Sequence, residues 1–417
     1  MISELKIRNF KSLESVDLKL GHFNLLVGAN ASGKSNFLDA LRFLQGIGYG
    51  LSIEGILNGV PQTNTNVKWN GIRGGSRSIA FRKKDGSKLK ANEFQIVFDR
   101  TELNSYGLEK LTYSLTWSIT NGVISVSSES LKSDDKGVII DETTPYLIPL
   151  PAEDLNELPE PDKPLDPVPH TVDILESWPR ISFWSHSEYP SELATKSARS
   201  VCSKLADMQF LDPLPAVLRT YSSKVARLGE SGEGFAALVR EIDANGSKPA
   251  FLEWLKELRP DEVEDIYALE GLNNDFMAAV REGDFEFRAP ALSEGTLRFI
   301  ALAAAFFQPS MPRILVIEEI EKGLHPSRLR LLLELMRSQS KRTGTQVFAT
   351  THSPTLLNWL TEEDRKTTFV CTRDVASGAT KMRSLADVPN LEELIKKNYN
   401  LDQLFEEGWL ESVLHES

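Results

Sequence analysis

The chain has 417 residues, of which 41% are hydrophobic, and a formal net charge of −12 from 47 basic and 59 acidic side chains. That length predicts two or three domains, and the ordinary apolar and charged fractions exclude wholesale disorder. The acidic balance excludes a uniformly basic nucleic-acid coat. The two cysteines, Cys202 and Cys371, lie far apart, which excludes a disulfide framework or zinc site and points to a reducing compartment.

The opening MISELKIRNFKSL has no apolar core of signal-peptide length. The longest apolar stretch, Phe299 to Phe307, is too short to span a bilayer, so a cytoplasmic protein without membrane contact is expected. Leu5 and Ile7 alternate with Lys6 and Arg8, and Val16, Leu18 and Leu20 with Asp17 and Lys19, as in short strands. Phe23 to Val27 is nearly continuous apolar sequence, the pattern of a strand buried on both faces. A glycine-rich turn follows, then a helix with Phe37, Leu38, Leu41 and Leu44 on one stripe. From Ile79 to Val126 the pattern is again strand-like. Between Arg73 and Lys90, the residues Arg73, Arg77, Arg82, Lys83, Lys84, Lys88 and Lys90 form a local basic strip against Asp85 alone. It reads either as a solvated strand and turn or as a phosphate-tracking surface.

Between Asp141 and His170 eight prolines are mixed with acidic residues, predicting an exposed extended connector. Helical patterns then cover Leu193 to Phe210, Phe235 to Ile242 and Phe251 to Leu258, none with heptads sustained enough for a coiled-coil arm. The last third alternates: helix Thr296 to Phe307, strand Ile314 to Ile317, a helix through Leu329 to Met336, strand Gln346 to Ala349. A strand at Thr368 to Thr372 and helical patterns at Leu391 to Lys397 and Leu401 to Trp409 follow. This is the grammar of a mostly parallel α/β sheet.

Gly28-Ala29-Asn30-Ala31-Ser32-Gly33-Lys34-Ser35 matches G-x-x-x-x-G-K-[ST], with the strand before it and the helix after it that the motif requires. The glycines let backbone N–H groups converge on phosphate oxygens, and the helix N-terminus adds its positive dipole end. Lys34 reaches the β and γ phosphates of ATP, and the Ser35 hydroxyl ligates Mg²⁺. No guanine-recognition motif accompanies the loop, which favours ATP over GTP. The apolar strand Ile314 to Ile317 ends in Glu318-Glu319. Strand alternation sends these two carboxylates to different sides, so Glu318 is assigned to the metal and Glu319 to the general base.

Further segments fall in the order of one superfamily. Leu292-Ser293-Glu294-Gly295-Thr296-Leu297-Arg298 resembles the ABC signature in its RecF-like and OLD-like form. Glu321-Lys322-Gly323-Leu324-His325-Pro326 resembles the D-loop, Thr351-His352-Ser353-Pro354 the switch-histidine segment, and Arg8-Asn9-Phe10-Lys11-Ser12 the opening of RecF and SMC heads. Taken singly, Ser293 would be a plain N-cap and His352 an ordinary loop histidine; order and spacing make the pattern. The resemblance, confined to the two ends of the chain, is to stand-alone bacterial AAA family ATPases of the ABC class, many of them phage-defence components.

The resemblance implies a P-loop, ABC-type head with a mostly parallel sheet, an antiparallel β subdomain and an inserted helical subdomain. The corresponding boundaries are 1–141 for the N-terminal lobe, 142–286 for the connector and helical insertion, and 287–417 for the C-terminal lobe. It implies two copies sandwiching ATP, held by Gly28, Asn30, Ala31, Ser32, Gly33, Lys34, Ser35 and Asn36 of one copy. Ser293, Gly295 and Thr296 of the other would cap it, with His352 sensing the γ-phosphate and Lys11 and Ser12 near the nucleotide. Gln95 is the Q-loop candidate for the metal. Glu318 departs from the commoner aspartate, and Glu294 stands where transporters carry glycine, which argues against a transporter. The segment after His352 is too short for the Toprim nuclease domain of OLD proteins, so no nuclease activity is expected. The expected role is an ATP-driven switch with a separate effector, a nuclease or toxin, in phage defence or DNA surveillance. Rival expectations are a RecF-like DNA repair ATPase and a low-turnover nucleotide-gated clamp.

Overall fold

The structure is a computed structural model and describes residues 1–60, 69–81, 91–99, 109–120, 123–134, 137–142, 179, 181, 192–223, 225–258, 263–397, 399–409 and 412. The Pro-rich connector and five residues of the basic strip, Arg82, Lys83, Lys84, Lys88 and Lys90, lie outside them. The strands are β1 (Ile2–Phe10), β2 (Leu13–Lys19), β3 (Phe23–Val27), β4 (Asn92–Asp99), β5 (Lys110–Thr120), β6 (Val123–Ser133), β7 (Gly137–Glu142), β8 (Met208–Leu211), β9 (Asp265–Glu270), β10 (Phe276–Glu282), β11 (Phe285–Arg288), β12 (Ile314–Ile317), β13 (Gln346–Thr351), β14 (Thr368–Arg373) and β15 (Thr380–Ser384). The helices are α1 (Lys34–Gly48), α2 (Ile53–Asn58), α3 (Glu192–Ala206), α4 (Pro215–Leu218), α5 (Phe235–Ala244), α6 (Lys248–Leu258), α7 (Glu294–Ala304), α8 (Pro326–Thr343), α9 (Glu362–Lys366), α10 (Leu391–Lys396) and α11 (Leu401–Glu406).

Contacts divide the chain into two compact units. The first comprises Met1–Gly21, Ala29–Met208 and Val370–Arg383. Its sheet runs β2-β1-β4-β5-β6-β7 and is antiparallel throughout. Alternation does what the sequence predicts: Leu5 and Ile7 of β1 are buried while Lys6 and Arg8 are partly exposed. The buried face meets α1 through aromatic rings. Phe43 stacks on Phe94 at 5.0 Å and on Trp117 at 5.4 Å, with Phe10 edge-on at 5.8 Å. Burying side chains of this size stabilises by about 1.5–3 kcal/mol each. The result is a rigid seat for α1, whose N-terminus carries the glycine-rich loop.

The second unit comprises His22–Gly28, Gln209–Phe369 and Ser384–Ser417. Here β3, β13 and β12 lie parallel, pairing Val347 with Phe23 and Ile314 with Gln346. All three strands are wholly buried, which is why their sequences lack a polar–apolar alternation and are mostly apolar, with Asn24, Gln346, Thr350 and Thr351 as the buried polar exceptions. The end of β8 follows β12, and β14 begins beside β3 before running on into the first unit, where β15 pairs with it. A separate antiparallel sheet, β11-β10-β9, packs under α5.

One expectation changes. The helix expected from Leu193 to Phe210 stops at Ala206, and Met208–Leu211 is a strand. An apolar run this short reads equally as helix or strand, and pairing in the sheet decides it. The described part of 142–286 carries the helices α3 to α6 together with the strands β8, β9 and β10.

Candidate active site

In the first unit the loop turns sharply into α1. Ala31 and Gly33 adopt left-handed backbone, with φ of 64° and 107°. Gly33 is the N-cap of α1, without a side-chain cap, and no acidic residue occupies the first helical turn. The positive end of the helix is therefore offered by backbone alone, as an anion-binding loop requires. Lys34 is 4% exposed; its ammonium donates to the Ala29 carbonyl at 2.8 Å and lies 3.4 Å from Ser32 Oγ. Ser35 and Asn30 are exposed on the loop surface.

Around the loop, Asn36 donates to Ser12 Oγ at 2.6 Å, which sets Ser12 beside the first turn of α1. Lys11, with φ of 53°, donates to Asp39 Oδ2 and to the Arg73 carbonyl. Arg73 donates to Asp39 Oδ1 at 3.1 Å and to the Ser35 carbonyl at 3.0 Å. Asp39 thus gathers two cations at the start of α1. Arg73, which the sequence places in a basic strip, is a half-exposed cation of the loop surroundings. Gln95 is placed otherwise. It lies within β4, paired with Lys6 and Ser114, and its amide donates to Ser114 Oγ at 3.3 Å. It is a sheet residue, not a loop residue.

Cys371 on β14 is fully buried; burial pushes its thiol up to about 12, and the nearby Lys34 charge opposes this only in part. Held as a neutral thiol, it is no nucleophile.

In the second unit the chain leaves β12 after Ile317, and Glu319 takes the left-handed region at φ 49°. The alternation expected to send Glu318 and Glu319 to opposite sides therefore does not apply, because neither is in the strand. The turn is held by tertiary contacts. The Glu319 amide donates to Thr350 Oγ1 at 2.9 Å, and the Ile320 amide donates to the Thr350 carbonyl at 3.0 Å. Arg298, 2% exposed, donates to the Glu318 and Glu319 carbonyls at 3.0 and 3.1 Å. A non-glycine residue in this region costs about 1–3 kcal/mol and persists only where surroundings over-determine it.

The turn aims Glu319 at His352. The imidazole Nε2 lies 3.2 Å from Glu319 Oε1, and Nδ1 lies 3.2 Å from the carbonyl of Gly28, first residue of the glycine-rich motif. The His352 amide donates to Glu321 Oε1. A carbonyl only accepts, so Nδ1 carries a proton in that hydrogen bond. The Nε2–Glu319 contact is then a hydrogen bond only with one further proton between the two groups. The imidazole thus stands between the Glu319 carboxylate and the carbonyl of the motif's first residue.

Ser293 is the N-cap of α7: its hydroxyl accepts from the Thr296 amide at 3.1 Å and lies 2.7 Å from Thr296 Oγ1. Ser293 and Glu294 are exposed, whereas Gly295 and Thr296 are buried. A Cβ on Gly295 would stand 2.3 Å from the Gly323 carbonyl, so only glycine lets α7 rest on the Glu321–Pro326 loop. Arg328 reaches Thr296 Oγ1 at 3.3 Å. His325 caps α8.

The residues suit Mg·ATP. The loop offers an uncapped helix N-terminus, one lysine and a hydroxyl, with no carboxylate in the first turn of α1 to repel phosphate. Among the described residues no three His, Cys, Asp or Glu side chains gather as a metal cage. Magnesium held by one or two protein oxygens plus substrate phosphates needs none.

Strand, loop and helix around a Walker-type lysine, with a carboxylate turn after a parallel strand, define an ATPase of the P-loop AAA/ABC class, with the fold of an ABC-type head. Comparison with known proteins agrees. Residues 1–104 match the family model "AAA ATPase domain", and residues 203–358 match "AAA domain, putative AbiEii toxin, Type IV TA system". The chain is 23% identical over 376 residues to an "ATP/GTP phosphatase" of Helicobacter pylori, covering 88% of this chain and 90% of that one. It is 40% identical over 70 residues to the "DNA replication and repair protein RecF" of Glaesserella parasuis, which is 16% of this chain and 17% of that one. Its fold is that of an SMC head crystallised with the C-winged helix domain of ScpA, at TM-score 0.51 and 16% identity, covering 94% of this chain and 99% of that one.

Several residues around these groups escape a reading of the sequence. Arg298 could have been flagged as a lone charge in the apolar stretch Thr296 to Phe307, whereas Asp39 shares its helix with Lys34 and Arg42. Thr350 and Thr380 carry no local signal; only tertiary structure gives them partners.

Proposed function

We propose that two copies of this chain close around Mg·ATP and hydrolyse it, and that closure and reopening signal to a separate effector. The observation that carries the reading is His352, set between the Glu319 carboxylate and the Gly28 carbonyl. It links a proton-accepting pair to the phosphate loop. Gly28, Asn30, Ala31, Ser32, Gly33, Lys34, Ser35 and Asn36 are assigned to the triphosphate, with Lys11 and Ser12 supporting the loop. Ser35 and Glu318 are assigned as metal ligands; magnesium, when bound, neutralises charge on the β and γ phosphates. Glu319 takes the proton of the water that attacks the γ-phosphorus as the bond to ADP breaks, and His352 orients that carboxylate. Ser293, Gly295 and Thr296 of the second copy are assigned to cap the γ-phosphate. An exposed helix N-terminus with a serine at its tip supports that assignment.

Replacing Glu319 with Gln tests this. Turnover is expected to fall by roughly 10²–10⁴-fold, the usual contribution of a general base, with ATP still bound. Light scattering in saturating Mg·ATP should then read twice the monomer mass. A variant that turns over normally removes Glu319 as base, and one that binds ATP yet stays monomeric removes the sandwich.

A second reading, DNA association, is favoured by the similarity to RecF proteins and by the cationic Arg73 and Arg77. Duplex affinity that falls steeply with salt, and falls again on neutralising Arg82, Lys83 and Lys84, would support it.

A further inference from the structure

We propose that Thr380 is a positioning residue of the phosphate loop, fixing the Ser32–Gly33 peptide from behind through a directed chain of hydroxyl hydrogen bonds. The inference rests on reading that loop as the nucleotide cradle. Thr380 opens β15, far from the loop in sequence, and is 1% exposed. Its hydroxyl donates to the Ser32 carbonyl at 2.9 Å, lies 2.6 Å from Ser12 Oγ, and its amide donates to the Ser12 carbonyl at 2.7 Å.

The direction of the chain follows from what each group can do. The Ser32 carbonyl only accepts, so Thr380 spends its single hydroxyl proton there. Ser12 must therefore donate to Thr380 Oγ1, and its own oxygen accepts from Asn36 Nδ2 at 2.6 Å. The result runs Asn36 to Ser12 to Thr380 to Ser32, starting on the first turn of α1 and ending on the loop that precedes it. Each bond polarises the next, and no member can be dropped without orphaning its neighbours.

Shape adds a second constraint. A Cβ placed on Gly33 would sit 1.9 Å from Thr380 Oγ1, so the threonine hydroxyl occupies the space that the glycine leaves. Gly33 at φ 107° and Thr380 are fitted to each other, and together they set the direction in which the loop enters α1. The loop thus receives the triphosphate already shaped, its ordering cost met by a strand from elsewhere in the chain.

The test compares Thr380→Val, which keeps the shape and deletes the hydroxyl, with Thr380→Ser, which keeps the hydroxyl. Fluorescent ATP analogue titration should show affinity about five- to tenfold weaker in the valine variant, the effect of one lost hydrogen bond that holds a binding group. The serine variant should stay within about twofold of wild type. A merely structural threonine would lower the melting temperature and leave nucleotide affinity unchanged. Equal affinity in Thr380→Val and wild type overturns the proposal, as does serine failing to rescue. Should the valine variant not fold, Ser12→Ala breaks the same chain one link earlier, with a comparable loss expected and unchanged affinity counting against it. Lys34→Ala separates the two levels. If it binds ATP normally the cradle reading itself fails, whereas lost binding there with normal binding in Thr380→Val removes only the role of Thr380.

Discussion

Arg298 donates a hydrogen bond to the carbonyl of Glu319 at 3.1 Å, tying the helix that carries the Leu292–Arg298 motif to the turn that carries the carboxylate. The same guanidinium holds the Glu318 carbonyl, the Pro213 carbonyl at 2.7 Å and Asp212 Oδ1 at 2.8 Å. Lys322 in turn reaches Asp212 Oδ2 at 3.0 Å. Three sequence motifs of the second unit, at Ser293, Glu319 and Lys322, are thus joined through one buried arginine. A movement of α7 has a direct mechanical route to the strained backbone of Glu319.

Removing that arginine tests the link. Arg298→Met should destabilise the chain by about 2–4 kcal/mol, since Asp212 loses its buried partner and three carbonyls lose their donor. Surviving folded protein should show a fall in kcat larger than any rise in KM, because Glu319 is displaced while the phosphate loop is not. Arg298→Lys, with charge but no fork, should lie between. Thermal unfolding and steady-state ATPase assays read both effects, and a methionine variant with unaltered turnover and melting would break the connection.

Asp212 makes the same cluster pH-sensitive. Burial works against its ionisation, but hydrogen bonds from Arg298 and Lys322 outweigh that and hold the carboxyl below its ordinary value. Its unfolded value is about 3.9, so the folded state binds fewer protons in that range. The stabilisation is complete above the unfolded value and is lost as pH falls through the lower, folded one. Asp212→Asn should melt below wild type at neutral pH, and the gap should begin to narrow as pH falls through the unfolded value of about 3.9 and close only below the lower, folded one. Melting curves from pH 3 to 7 that run parallel for the two proteins would contradict this.

Local chemistry made the phosphate loop legible. A buried strand, two glycines and an amphipathic helix follow one another within a single stretch, so the motif can be recognised without its distant partners. The parallel strands β3, β12 and β13 were legible for the same reason, each carrying a short local apolar run. The turn at Glu319 was not, because strand alternation ends where Thr350 and Arg298 take hold, and both contacts come from distant parts of the chain. Met208–Leu211 reads as the end of a helix until the sheet claims it. Gln95 carries a loop residue's chemistry, but its neighbours Phe94 and Ile96 bury a strand around it. Thr380 had no signal at all, since a lone threonine on a strand gains meaning only from the glycine it faces.

His352 yields the remaining prediction. Its ring is held at both nitrogens, by the Gly28 carbonyl and the Glu319 carboxylate, so its replacement has two separable consequences. Alanine removes the ring that supports the direction of the Glu319 carboxylate, and kcat should fall by roughly 10²-fold or more. Lys34 and the N-terminus of α1 are untouched, so ATP affinity should stay within a few-fold of wild type. His352→Gln can donate from its amide to one acceptor only, and should recover a minor part of the rate. Single-turnover hydrolysis beside equilibrium ATP binding distinguishes these effects. Equal losses in binding and rate would make His352 a nucleotide-anchoring residue, and an unchanged rate would remove it from the chemistry.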